Sequence, residues 1–449
     1  MGTVAIIGAG LAGCECARVL AARGIASTVF ESKPGVKSMA HVSNDLSELV
    51  CSNSLRSDAL ASGIGLLKQE LRDMGSPFMR DADASRVPAG KALAVDRSLF
   101  SGLVTRSVRE NPLITLKEAC ISSLDDPLLA GFDHIVLAAG PLAAESLSES
   151  LARTVGMDHC YFYDAIAPIV WGHSLNMEIV FRGSRYGDEH AGESGGTDEG
   201  DYLNCPMNRD EYTVFYEALL AAEKVRGRDF EKERHFEGCM PIEALAERGP
   251  KTLVFGPMKP VGFTDPRTGR RPWAILQLRT ESLNGETFNL VGCQTKLTYP
   301  EQARVFRLVP GLEKAEFVRY GSMHRNTYIN SPKVLSPDGS LAARPDVFPA
   351  GQISGVEGYV ESAAHGHWVA LTLAARLQGR TLDRPPVTTA LGALLGHLSG
   401  EQKRFQPSNA HFGLMPEPEH RVPKKERKEW YAARARADFA AWLAAQTRS

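Results

Sequence analysis

The sequence has no apolar run near the roughly 18 residues that a membrane-crossing helix needs. It has no surplus of either charge: 51 Lys and Arg against 53 Asp and Glu leave a formal net charge of −2. Aromatic residues make up 8% of the 449 positions, and the eight cysteines include no C-x-x-C pair. These shortages exclude a membrane-spanning chain, a disulfide scaffold and a structural zinc ribbon, so reduced thiols and no metal are expected. Met1-Gly2-Thr3 leads straight into the apolar Val4-Ala5-Ile6-Ile7 with no basic segment before it. No secretory signal is therefore expected, and the expected location is the cytoplasm. A 43% hydrophobic and 23% charged composition excludes disordered, collagen-like and coiled-coil chains. Taken alone, the near-neutral charge speaks against a nucleic-acid partner.

What is present begins with a nucleotide site. Thr3-Val4-Ala5-Ile6-Ile7 reads as a buried strand, followed by Gly8-Ala9-Gly10-Leu11-Ala12-Gly13 and a helical run to Arg23. A second strand, Ser27-Thr28-Val29-Phe30, ends in Glu31, eighteen positions past Gly13. Strand, G-x-G-x-x-G, helix and acidic residue together form a dinucleotide fingerprint. The glycines allow a tight turn and close approach to a pyrophosphate, the helix N-terminus attracts it, and Glu31 accepts from ribose hydroxyls. His134-Ile135-Val136-Leu137-Ala138-Ala139-Gly140 is a further strand with a small-residue turn. Asp346-Val347-Phe348-Pro349-Ala350-Gly351-Gln352 is a late strand, with a helical run over 361–377. This order resembles glutathione-reductase-like flavoproteins, in which the late strand end holds the flavin's sugar chain. FAD is preferred over NAD for the fingerprint, with Gly8, Gly10, Gly13, Glu31, Gly351 and Gln352 as its ligands.

The expected fold class is therefore α/β: a Rossmann-like FAD-binding domain interrupted by an α+β insertion domain. The expected boundaries are 1–155 and 334–400 for the FAD-binding parts, 156–333 for the insertion and 401–449 for a C-terminal extension. Within the insertion, 161–164, 178–181, 273–278 and 289–292 read as strands, and 209–226 and 302–309 as helices. Residues 187–201 carry six acids and five glycines and read as an exposed loop. The last segment, 421–449, holds eight Lys or Arg against three acids, a local balance of +5. It reads as a solvated helix or as a contact for RNA phosphates.

Several blocks resemble one family. They include Glu48-Leu49-Val50-Cys51-Ser52-Asn53-Ser54-Leu55, the run 86–97 ending in Asp96-Arg97, and Asn204-Cys205-Pro206-Met207. Phe236-Glu237-Gly238-Cys239-Met240-Pro241, Gly256-Pro257-Met258-Lys259-Pro260, Arg319-Tyr320-Gly321 with Met323-His324-Arg325-Asn326-Thr327, and Gly351-Gln352 through Gly358-Tyr359 complete them. Together they span nearly the whole chain and resemble the folate- and FAD-dependent tRNA (uracil-5-)-methyltransferases, the TrmFO family. The resemblance implies transfer of the methylene carbon of 5,10-methylenetetrahydrofolate to C5 of a T-loop uridine (position 54) in tRNA. It also implies reduced FAD as the electron source, recharged by NADH or NADPH. A ribosomal-RNA uridine as target and a non-catalytic flavin-containing RNA-binding protein are the competing readings.

Uracil C5 is a poor nucleophile until a thiolate adds at C6, so the chemistry needs an activated cysteine, a group that stabilises charge on O4 and a base. The resemblance points to Cys239 as the attacking thiol and puts Cys51 beside the flavin. The polar turn Ser52-Asn53-Ser54 after Cys51 reads as the opening of a helix, whose N-terminus favours a thiolate. Cys205, Cys14 and Cys16 read as packing residues. His324 and Arg325 suit proton transfer or RNA contact, with a structural polar cluster as the equal alternative. Lys259 suits a folate tail or a phosphate, and Asp96, Arg97 and His41 are expected near the flavin or folate. A paired uracil hides C5 and C6, so the target base has to leave its stack. The net charge of −2 does not exclude such a transient RNA substrate, because the acidic 187–201 segment offsets the basic tail in the sum.

Overall fold

The computed structural model describes residues 2–37, 41–156, 160–165, 167–184, 202–225, 240–281, 285–400, 402 and 405–446; for 160–165 and 323–325 only the backbone is described. Its first sheet has five parallel strands in the order Val347–Pro349, His134–Leu137, Val4–Ile7, Ser27–Glu31 and Ile114–Glu118. The late strand thus joins the edge of a sheet begun more than 300 residues earlier. Parallel strands covered on both faces must be apolar on both, and Val4–Ile7 is buried at every position. Its side chains alternate as a strand requires. Val4 and Ile6 enter the core under the helices Leu11–Ala21 and Tyr359–Leu377, whereas Ala5 and Ile7 enter a second core with Leu147, Leu151 and Val347.

Those two helices cross at very close range. A Cβ on Gly366 would lie 2.3 Å from the Ala12 carbonyl oxygen and 2.7 Å from its Cα, so only glycine allows the approach. Around the crossing lies a buried polar knot. Glu15 accepts from Ser76 Oγ (2.5 Å) and the Phe78 amide (2.8 Å), and lies 2.9 Å from His367 Nδ1. Arg18 pairs with Asp81 and Glu15. Burial opposes the Glu15 charge, but the bonds and charges of His367 and Arg18 outweigh it and hold the carboxyl below its ordinary range. Buried ions persist only when paired in this way.

The insertion is a six-stranded antiparallel sheet in the order Phe181–Gly183, Tyr202–Met207, Ala274–Thr280, Thr287–Leu290, Ile169–Trp171, Phe317–Arg319. The helices Arg209–Ala221, Ile242–Ala246 and Tyr299–Phe306 close one core over it. The chain enters and leaves along an antiparallel ribbon of Cys160–Ala165 with Met323–Tyr328. One expected strand is absent: 177–179 forms a turn, and only Phe181–Gly183 is extended. The alternation of Glu178-Ile179-Val180 is satisfied instead by folding Val180 into the core beside Gly311. The expected loop at 187–201 lies outside the described residues.

The C-terminal helix Arg427–Gln446 is docked rather than free. Ala432, Ala435, Phe439 and Trp442 are buried at helical spacing. Trp442 donates to the Asp383 carbonyl (3.0 Å) and packs on Trp368. Lys424, Lys425 and Lys428 stay exposed. Gly366→Ala is expected to force the two crossed helices apart and lower stability by about 1–3 kcal/mol. A chemical-denaturation midpoint unchanged from the parent would contradict this account of the crossing.

Candidate functional site

A cleft of about 360 Å³ opens at the carboxyl ends of the parallel strands, the position where open α/β sheets bind ligands. Gly8, Gly10, Glu31, Gly351 and Gln352 all line it. Each fingerprint glycine meets a different demand. Gly8 has φ +100°, and a Cβ there would strike the Ala138 carbonyl at 2.5 Å; a Cβ on Gly13 would lie 1.9 Å from the Gly8 oxygen. Gly13 therefore seats the helix on the turn and is not among the residues lining the cleft. Gly10 is the opposite case: a Cβ there meets nothing within 4 Å, so its missing side chain leaves open room.

The helix that starts at Leu11 has no side-chain cap and no acid in its first turn. Its N-terminal N–H groups and positive dipole end are thus left for an anion. Glu31 accepts from the Ala9 amide (2.8 Å) with one oxygen and from the Lys33 amide (3.0 Å) with the other. Each carboxylate oxygen keeps a further lone pair for a ribose hydroxyl. Gly351, at φ +74°, lets the late strand end press against Ala12, where a Cβ would come within 2.7 Å of the Ala12 Cβ. Gln352 donates to Glu357. Glycine cradle, uncapped helix and oriented carboxylate fit a dinucleotide such as FAD. His41 sits on the rim of the same cleft, and burial, then the charge of Lys33, pulls its imidazole below the ordinary range.

Cys51 borders this cleft, next to the lining residues Val50 and Tyr359. The Tyr359 hydroxyl accepts the Cys51 N–H (2.7 Å) and lies 2.8 Å from its Sγ. With its lone pair engaged by the amide, that hydroxyl is placed to donate to the sulfur. Burial, then the neighbouring Cys51 charge, raises the phenol well above its ordinary range, so it remains a proton donor. The expected helix after Cys51 does not form. Ser54–Ser57 is a strand paired with Ala92–Val95, so the segment after this thiol offers it no helix N-terminus.

The local charge comes from elsewhere. Arg97, Arg279 and Arg319 are all electrostatically coupled to Cys51. They also grip the loop that carries it. Arg97 donates to the Leu49 carbonyl (2.9 Å) and Arg319 to that of Val50 (2.9 Å). Arg279 donates to Ser52 Oγ (2.7 Å) and Asn53 Oδ1 (2.8 Å), while Asn53 donates to the carbonyls of Thr280 and Val95. Arg97 is paired with the buried Glu281 at 2.6 Å. Burial opposes the Arg97 charge, yet Glu281 outweighs it and raises the group; burial lowers Arg279 and Arg319. Every residue from 49 to 53 is thereby fixed, largely by side chains from the insertion sheet. The place is electropositive and suits a thiolate or an anionic substrate group.

Of these residues, Arg279, Asn53, Glu281 and Tyr359 had no role assigned from sequence. One signal was available: Arg279 is a charge in the otherwise uncharged run Ala274–Thr280, which is buried at six of seven positions. Asp96 caps the helix Arg97–Arg109 through the Leu99 amide (3.0 Å). Lys259 lies half-buried after the helix Thr252–Phe255 and is not among the residues lining the cleft. His324 and Arg325 lie on the ribbon strand, paired in register with Asp164 and Tyr163, and their side chains are outside the described set. Cys239 lies outside the described residues. The described chain before it ends at Val225, whose amide bonds the Lys296 carbonyl, and resumes before Ile242, whose amide bonds that of Gln294. Cys205 is buried, and burial raises its thiol. Burial likewise raises Cys14, to about 11.

A family model described as glucose inhibited division protein A matches residues 3–381. Curated proteins named methylenetetrahydrofolate–tRNA-(uracil-5-)-methyltransferase TrmFO are similar along almost the entire chain. That of Nitratidesulfovibrio vulgaris is 66% identical over 442 residues, covering 98% of this chain and 92% of its own. That of Geobacter sulfurreducens is 54% identical over 444 residues, covering 99% of both. Among solved structures, Aquifex aeolicus GidA superposes with a TM-score of 0.66 at 14% identity, over 98% of this chain and 74% of that one. This last likeness is one of fold.

Gly10→Val should leave folding intact and fill open room in the cleft, so the protein should purify colourless and melt as the FAD-stripped parent does. Retained flavin absorbance would refute the cradle. Glu281→Gln should leave the buried Arg97 charge without its partner and cost about 3 kcal/mol in urea unfolding, an effect that an exposed ion pair would not show.

Proposed function

Because the chain belongs to the GidA family and, within it, to the TrmFO-type methylenetetrahydrofolate–tRNA-(uracil-5-)-methyltransferases, we propose that its cleft and the Cys51 loop form the methyl-transfer site. The enzyme is a tRNA methyltransferase that takes its carbon from methylenetetrahydrofolate and carries FAD. We read the target as the T-loop uridine. The curated relatives, each named for a tRNA uracil, favour this over a ribosomal-RNA target. No described helix is long and apolar enough to cross a membrane, and a tRNA substrate fits the cytoplasm.

In this reading Gly8, Gly10 and the first helix hold the FAD pyrophosphate, Glu31 its ribose, and Gly351 with Gln352 the sugar chain. Bound FAD, reduced by NADH or NADPH, supplies the electrons that turn the transferred carbon into a methyl group. The chain's own part is acid–base and nucleophilic. The Cys239 thiolate adds to uracil C6, and electron density moves to C5 and O4. C5 then bonds the donor carbon, and loss of the C5 proton to a base lets the bond from that carbon to the folate nitrogen break with tetrahydrofolate leaving; once the carbon has been reduced, elimination frees the thiolate. Cys51, held by Tyr359 and the three arginines, presents a polarised thiol in an electropositive pocket beside the flavin, where it suits the folate half of the reaction. His324 and Arg325 on the ribbon and Lys259 on the insertion are assigned to RNA or folate. The division of labour follows 1–155 with 334–400 as the flavin side, 156–333 as its cover and 401–449 as an extension. The observation that carries the reading is the shared wall: Tyr359 both lines the glycine cleft and bonds the Cys51 thiol.

Incubation with unmodified tRNA, methylenetetrahydrofolate and NADPH should yield 5-methyluridine, and no product from yellow protein would refute the assignment. Cys239→Ala should lose turnover by on the order of 1,000-fold or more while keeping FAD. Surviving turnover would remove Cys239 from the nucleophile's role.

A further inference from the structure

Three aromatic rings stand stacked at the edge of the insertion core, with Phe317 packed against it. Phe317 and Tyr320 lie 4.9 Å apart with planes 18° from parallel, and Tyr320 and Tyr299 lie 4.9 Å apart at 15°. Arg307 sits over the Phe317 ring at 6.0 Å, and Tyr299 is the open end, 56% exposed. Among the described residues no further ring continues the column beyond Tyr299. From these rings we infer a platform on which an unpaired base of the RNA substrate stacks, next to the uridine that is modified. The inference rests on the tRNA reading above and adds a recognition surface to it.

Three observations support that occupant. First, the column is rigid. Tyr299 opens the helix Tyr299–Phe306, and Gly321, next to Tyr320, is locked by two bonds with Gln302, one given by its amide (2.7 Å) and one received by its carbonyl (2.8 Å). A preorganised ring loses little freedom on binding, and every base has a π-face to offer it. Second, the column has a cation at hand. Arg307 bonds only the Ala315 carbonyl, so its charge is unmatched by a carboxylate among the described residues and is available to a phosphate. Third, the position is apt. Tyr320 follows Arg319, which grips the residue before Cys51. Tyr299 follows the stretch whose Gln294 and Lys296 carbonyls receive the amides of Ile242 and Val225. The rings therefore stand beside the Arg319 grip on the Cys51 loop and beside the stretch that receives Val225 and Ile242. A uridine drawn out of its loop leaves a neighbour without a stacking partner, and Tyr299 supplies one.

The test compares holoenzyme with Tyr299→Ala and Tyr299→Trp. Tyr299 is exposed, so both variants should melt as the parent does. Y299A should weaken binding of unmodified tRNA about tenfold and raise KM for tRNA in proportion, with kcat at saturating tRNA unchanged. Y299W should restore affinity, and its additional indole emission should be quenched when tRNA is added. Parental affinity in Y299A, or no quenching in Y299W, overturns the platform while leaving the methyltransferase reading intact. A wild-type protein that makes no 5-methyluridine and binds no tRNA overturns both. Self-association lost only in Y299A would assign the rings to a second copy of the chain and overturn the proposal.

Discussion

The constraint on which the molecule depends is the contact at Ala12. Gly366 of the long C-terminal-half helix presses on its backbone, and Gly351 of the late strand end presses on its side chain. Both helices begin at the cleft, one at Leu11 and the other at Tyr359. A single close crossing therefore aims one uncapped N-terminus at the cleft and sets the Tyr359 hydroxyl over the Cys51 thiol. Any side chain on Gly366 would move both at once. The knot of Glu15, His367, Arg18 and Asp81 then holds the crossing in a single arrangement, because no member can leave without stranding a buried charge.

A second coupling joins the two sheets. The Cys51 loop belongs by sequence to the flavin side, yet Arg279 and Arg319 from the insertion hold three of its residues. The thiol is positioned only when both parts of the chain are in place. This suits a reaction in which RNA, folate and flavin have to converge on a few atoms, because misplacement by about 1 Å is costly. The aromatic column at Tyr299 extends the same logic outward to the RNA.

Much of the flavin side was legible in the chain. The glycines of 8–13, the Glu31 at a strand end and the late Gly351-Gln352 are local signals, since each is demanded by a turn or by the close approach of backbone. The strand at 178–180 misled because alternation alone does not separate an extended segment from a turn that buries one valine. The helix after Cys51 misled because Ser-Asn-Ser serves a cap and a strand-entry turn equally well. What chooses between them is the pairing of Ser54 with Ala94, forty residues away.

By itself the sequence determined the α/β class, the glycine turn between the first strand and helix, the family and the residue types that thiol chemistry needs. These depend on local backbone demands and on patterns that run along the chain. Tertiary structure alone decided the company Cys51 keeps. Tyr359 is 308 positions away from it, and Arg279 is 226 positions from Asn53. It also decided that the basic C-terminal helix is docked on its apolar side, and that Tyr299, Tyr320 and Phe317 share one column. The reason is physical. Hydrogen bonds, ion pairs and stacking act over a few ångströms in space, and folding brings together groups whose separation along the chain carries no trace of the contact.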